Sequence, residues 1–178
     1  MNHTIAVFGA SRSTQGDRHY EEGIVCGRLL AENGFAVATG GYGGTMEAVS
    51  LGARGAGGHV VGVTAPSVFP GRSGPNDHLT HETEATSLVD RIGVLAADTS
   101  GAIALWGSLG TTAELLVAWN LAYVARFTNQ QPKPIIGVGE PWVELIPHLE
   151  SSLETDTGLV AVVESVPEAI ALLMQRLQ

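Results

Sequence analysis

Short apolar runs recur along this chain, each followed by a stretch of helical periodicity, and that alternation leaves few architectures open. Ile5 to Phe8, Phe35 to Ala38, Val60 to Val63, Ala102 to Leu105, Ile135 to Val138 and Leu159 to Val163 are apolar nearly throughout. Strands buried on both faces read this way. Between and after them, helical patterns span Tyr20 to Asn33, Thr45 to Ala56, Glu84 to Ala97, Thr111 to Phe127, Pro141 to Leu153 and Pro167 to Leu177. Gly34 and Gly57-Gly58 follow two of these as stop signals, and Pro141 and Pro167 read as first-turn prolines, where a missing N–H costs nothing. Strand–helix alternation demands parallel strands, and their crossovers are right-handed. The expected fold is therefore α/β: a doubly wound, Rossmann-like parallel sheet, with all 178 residues in a single domain.

Composition narrows the partners. Apolar residues make up 44% of the chain and charged residues 15%, which suits a well-covered sheet and not a disordered polymer. Nine basic residues face eighteen acidic ones, a net charge of −9. Without a basic stripe, neither nucleic acid nor an anionic membrane is an expected partner. No apolar stretch is long enough for a bilayer, and Met1-Asn2-His3-Thr4 leads straight into a strand, so a cytoplasmic location is expected. Cys26 is the single cysteine and falls on an apolar helix face with Ile24, Leu29 and Leu30, as a buried inert thiol would.

Two glycine-rich turns of similar design carry the functional signal. The first is Thr39-Gly40-Gly41-Tyr42-Gly43-Gly44-Thr45-Met46-Glu47, and the second is Trp106-Gly107-Ser108-Leu109-Gly110-Thr111-Thr112-Ala113-Glu114. Each follows a strand and opens a helix. Glycine lets a backbone approach a ligand closely, and the free N–H groups of a helix's first turn attract anions. Gly40, Gly41, Gly43, Gly44 and Thr45 in the first turn, with Trp106, Gly107, Ser108, Gly110 and Thr111 in the second, are the expected phosphate-binding residues. Gly9 and Ser11, just past the first strand, join them; Ser11 either bonds a ligand or merely ends the strand. Glu47 reads as a helix-dipole or capping carboxylate. Asp77, His78, His81 and Glu82 resemble metal ligands only superficially, in an irregular segment with no distant cysteine to complete a set, and no metal is expected.

These residues resemble the Lonely Guy family and its wider superfamily, historically mislabelled lysine decarboxylases. The likeness runs from Val7-Phe8-Gly9-Ala10-Ser11 through Gly40 to Val49 and Gly55 to Val63, and ends with the helix after Glu114. The family hallmark is PGGxGTxxE with an arginine fifteen residues before its proline. Residues Trp106 to Glu114 occupy the hallmark, and Arg91 stands fifteen residues before Trp106. The resemblance implies that Arg91 and Glu114 act together as catalytic residues, cleaving the N-glycosidic bond of a nucleoside 5'-monophosphate to free base and ribose 5-phosphate. In cytokinin-activating members the substrate is modified adenosine monophosphate. Glu114 would stabilise positive charge on the ribose or direct water, while Arg91 would grip either Glu114 or the ligand phosphate. No cofactor is required for that chemistry. The resemblance also implies a homodimer or homotetramer, with Leu115, Leu116, Trp119 and Tyr123 in the core or at a subunit interface.

This chain departs from the hallmark at three places. Trp106 and Ser108 replace the proline and second glycine, Ile92 follows Arg91 where cytokinin-activating members carry lysine, and the first turn reads GGYGGTME instead of GGGxxGLMG. Trp106 would reshape the pocket or stack on a heterocycle. Molybdenum-cofactor carrier proteins are also similar to this superfamily, and they bind a phosphorylated pterin without hydrolysing it. A carrier for a nucleotide or molybdopterin-type ligand is therefore the alternative to a phosphoribohydrolase. Two other activities fail on residues. Gly9-Ala10-Ser11-Arg12-Ser13-Thr14 lacks the GxGxxG of a dinucleotide oxidoreductase. Lys133, the sole lysine, lies between Pro132 and Pro134 on the side of the sheet away from the glycine turns, unsuited to a Schiff base. Whether Pro66 to Asn76, rich in proline and glycine, closes over a ligand is left open by the sequence.

Overall fold

A computed structural model describes residues 3–128 and 130–177. Seven strands, β1 (Thr4–Phe8), β2 (Ala36–Thr39), β3 (Val60–Thr64), β4 (His81–Glu84), β5 (Gly101–Ala104), β6 (Ile135–Val138) and β7 (Val160–Val163), form one sheet. Their order is β4-β3-β2-β1-β5-β6-β7, and every pairing is parallel. The helices are α1 (Arg18–Glu32), α2 (Thr45–Gly55), α3 (Leu88–Ala97), α4 (Leu109–Ala125), α5 (Trp142–Ser152) and α6 (Val166–Arg176). This is the doubly wound Rossmann-like fold.

Alternation along β1 divides the core. Ile5 and Val7 pack with Cys26 and Leu30 of α1, Val49 of α2 and Leu173 of α6. Ala6 and Phe8 point the other way, with Leu95 of α3, Leu115 and Trp119 of α4 and Trp142 of α5. Burial at the α1 face pushes the Cys26 thiol up to about 12, so it is an inert core group. On that face α1 and α2 touch backbone to backbone. A Cβ at Gly27 would overlap the Val49 carbonyl, and one at Gly52 would overlap that of Ile24.

The sequence pattern missed β4. Residues 81–84 pair with β3 at the sheet edge, and the helix expected from Glu84 begins only at Leu88. His81, Glu82 and Glu84 are exposed, so no apolar alternation announced a strand that ladder hydrogen bonds define. Glu82 accepts a 2.6 Å hydrogen bond from the Thr64 hydroxyl of β3. Among the described residues, no three His, Cys, Asp or Glu side chains converge as a metal-binding group. The start of α3 is fixed locally instead. Ser87, the N-cap residue, accepts from the Asp90 N–H at 3.0 Å, and the Asp90 carboxylate reaches back to accept from the Thr86 N–H at 2.8 Å, which fixes the helix start and sets Arg91 in the first turn and a half.

Strand order reverses at β1, since β2 lies on one side and β5 on the other. Ligands in such sheets bind outside the strand carboxyl ends at this crevice. Among the described residues, no helix is long and apolar enough to cross a membrane.

Candidate functional site

A cavity of about 270 Å³ opens at the crevice, lined by residues from the ends of β1, β2 and β5 and from α3 and α4. Gly9, Ser11, Gly40, Arg91, Ser108, Gly110, Thr111 and Glu114 all border it, so both turns and the Arg91–Glu114 pair reach one space. Gly43 and Gly44 border two neighbouring cavities that share Ser11 with it. Gly41, Thr45, Trp106 and Gly107 do not border these cavities, and Trp106 is exposed.

Arg91 sits on the buried side of α3 and is 5% exposed. Its guanidinium ties three elements together. Nε donates to the Val63 carbonyl at 2.7 Å, one terminal nitrogen donates to the Gly40 carbonyl at 2.9 Å, and the other to Oε1 of Glu114 at 3.3 Å. Gly40 is glycine for this reason: a Cβ there would overlap the guanidinium. Arg91 thus grips Glu114 and leaves little of itself for a ligand.

Glu114 lies in the second turn of α4. Side chains on a helix lean toward its N-terminus, which carries this carboxylate back to the cavity. Only Oε1 is engaged; Oε2 makes no hydrogen bond among the described residues. The side chain is 13% exposed. Burial raises its pKa to about 7 despite the opposing pull of Arg91 and, more weakly, Arg72. Desolvation likewise lowers that of Arg91, which Glu114 partly offsets. A carboxyl poised near neutrality can take or give a proton.

The two glycine turns differ in what they offer. At α4, Ser108 is the N-cap residue and makes no side-chain cap bond, so it leaves the first-turn N–H groups, that of the buried Thr111 among them, without a side-chain cap. At α2, the leading N–H is taken: Thr45 donates to the Ala10 carbonyl at 2.8 Å, and the Thr45 hydroxyl bonds Ser13 at 3.0 Å. Gly44, at φ +75°, adopts a conformation side chains resist, and a Cβ would also strike Ala10 and Ser11. Ala10 in turn donates to the Trp106 carbonyl at 3.1 Å, linking both turns through one residue. The Trp106 ring stacks on His19, with centroids 4.3 Å apart and planes 10° from parallel.

Sequence reasoning did not single out Arg72, Phe69 or Met46, which also line the cavity. Arg72 and Phe69 lie in the 66–76 loop, whose irregular pattern carried no periodic signal. That loop is tied to the first glycine turn: Asn76 donates its backbone N–H to the Gly41 carbonyl at 2.8 Å and its side-chain amide to that of Tyr42 at 3.1 Å.

The SLOG cluster4 family profile matches residues 2–170. The chain belongs to the SLOG cluster4 family. That agrees with the Lonely Guy and molybdenum-cofactor carrier resemblance. Among solved structures, the molybdenum cofactor binding protein of Rippkaea orientalis is 22% identical, with all of this chain and 99% of that one covered at a TM-score of 0.81. The molybdenum cofactor carrier protein of Chlamydomonas reinhardtii is 24% identical, 99% of each chain aligning at a TM-score of 0.77. DNA processing protein A of Helicobacter pylori, a single-stranded DNA binder, is 17% identical over 97% of this chain and 80% of its own, at 0.61. At these identities the likeness is one of fold. No curated protein matches this family member significantly by sequence.

Proposed function

We propose that the cavity binds a nucleoside 5'-monophosphate and hydrolyses its N-glycosidic bond. The observation that carries this reading is the Glu114 carboxyl: held at Oε1 by Arg91, free at Oε2, bordering the cavity and titrating near neutrality. The open N-terminus of α4 supports a phosphate at Ser108 to Thr111. In the reaction, the oxygen of water bonds to C1' of the ribose as the bond from C1' to the base nitrogen breaks. The bonding pair leaves with the base, which ends with one proton from the water, and the hydroxyl stays on C1'. The Glu114 carboxylate offsets the positive charge that grows on the ribose, takes one proton from the water and passes it to the departing base, which regenerates the carboxylate. Arg91 is the positioning residue behind it. The cavity's modest volume suits a mononucleotide. With a net charge of −9, a nucleic acid is a poor fit.

The test is chromatographic detection of free base from a panel of nucleoside 5'-monophosphates, with wild type and Glu114→Gln. Base release that Glu114→Gln abolishes, with nucleotide binding retained, is expected. Silence of folded wild type across the panel overturns hydrolysis. The second reading, a carrier of a phosphorylated pterin, is favoured by the two cofactor-binding proteins that match over their whole length. Their ligand would find the same α4 N–H groups here. Native mass spectrometry of freshly isolated protein distinguishes the two by the mass of any retained ligand.

A further inference from the structure

A phosphomonoester brings up to two negative charges, and backbone N–H groups alone carry no net charge to balance them. Two cationic side chains border the cavity, Arg91 and Arg72. Arg91 is committed to Val63, Gly40 and Glu114. Arg72 is its opposite. Among the described residues its guanidinium makes no ion pair, yet it is not loose. Its carbon lies 4.4 Å from the centroid of Tyr42 and 4.2 Å from that of Phe69, and these rings meet edge to face at 76°. Tyr42 is itself fixed: 3% exposed, its hydroxyl accepts the Ala65 N–H at 2.8 Å. Rings satisfy a guanidinium face while leaving its in-plane N–H donors open, so this clamp holds a cation without consuming its hydrogen bonds. Arg72 also borders the adjacent cavity of about 300 Å³, which shares Ser11 with the first.

We infer that Arg72 is the residue that recognises the ligand's phosphate charge, presented into the crevice by the Tyr42–Phe69 platform, while Arg91 does not touch the ligand. This rests on the phosphorylated-ligand reading above and adds its specificity determinant. It also gives the first glycine turn a definite task, to place Tyr42 beneath a cation. Lysine is a poor replacement for Arg72, because a strongly hydrated ammonium lacks the flat face that stacks on an aromatic ring and the fork that grips two phosphate oxygens.

The test is calorimetric binding of adenosine 5'-monophosphate and adenosine to wild type, Arg72→Gln, Arg72→Lys and the charge-matched control Arg54→Gln, on the exposed last turn of α2. Wild type is expected to prefer the monophosphate, and Arg72→Gln to lose that preference on the order of 10- to 100-fold, as for one charged hydrogen-bonding partner. Adenosine affinity stays unchanged, Arg72→Lys recovers only part of the preference, and Arg54→Gln keeps all of it. A full preference retained in Arg72→Gln overturns this inference and leaves the phosphorylated-ligand reading standing. Wild type that binds neither compound, nor ribose 5-phosphate, overturns this inference together with the nucleotide reading. Circular dichroism of each variant separates loss of recognition from loss of fold.

Discussion

Glu114→Gln tests the electrostatics of the site without any ligand. In the unfolded chain the Glu114 carboxyl titrates at its ordinary 4.5, and in the folded protein burial raises it to about 7. The folded state therefore binds this proton more tightly. Its contribution to stability is full below pH 4.5, declines as pH rises, and is gone above about 7. A rise from 4.5 to about 7, at about 1.4 kcal/mol per pH unit, amounts to about 3 kcal/mol. Glutamine stays neutral throughout, and its amide oxygen can still accept from Arg91. Urea unfolding of wild type and Glu114→Gln between about pH 4 and 8.5 isolates the effect, because every other titrating group is common to both. The stability of wild type relative to the variant is expected to fall by about 3 kcal/mol across that range. A difference that is constant would mean that the Arg91 ion pair balances desolvation, and one that grows with pH that it outweighs it; either would refute the reasoning. Were the proposed hydrolysis correct, base release should rise with pH through an inflection near 7, as the carboxylate forms.

Three other substitutions probe the frame around it. Arg91→Met leaves the carbonyls of Val63 and Gly40 and the Glu114 carboxylate without their partner, and should cost about 3–5 kcal/mol in urea unfolding. Gly27→Ala places a methyl against the Val49 carbonyl, forcing α1 from α2 at a cost of about 1–3 kcal/mol; an unchanged melting temperature would contradict the backbone contact. Trp142→Phe removes the indole N–H that donates to the Leu105 carbonyl at 3.1 Å in the core, and is expected to destabilise by about 1–3 kcal/mol with activity retained.

What the sequence made legible was local. Short apolar runs disclosed six of the strands because their residues are largely buried, and the family resemblance, carried by the spacing of Arg91 to Trp106, implied a partnership of Arg91 with Glu114, which the fold brings to 3.3 Å. The edge strand β4 was illegible because its side chains face water and only hydrogen bonds to β3 define it. The two glycine turns look alike as strings, yet Ala10, far from Thr45 in sequence, occupies the first helix's leading N–H, a distinction that exists only in three dimensions. Arg72 was hidden for a similar reason. Its surroundings come from Tyr42, thirty residues earlier, and from an irregular loop with no period to read.

The glycine notch between α1 and α2 also has a mechanical meaning. With each backbone seated against the other at Gly27 and Gly52, the two helices have no side-chain cushion between them to slide on. They should travel as one plate, and the segments at their leading ends, from Ser11 to Asp17 and from Gly40 to Gly44, travel with it. On this side of the crevice the wall is a fixed jaw. The 66–76 loop, bonded to Gly41 and Tyr42, belongs to that jaw as well, so adjustment to a ligand's size falls to the opposite one, where Arg91 of α3 meets Glu114 of α4 through side chains.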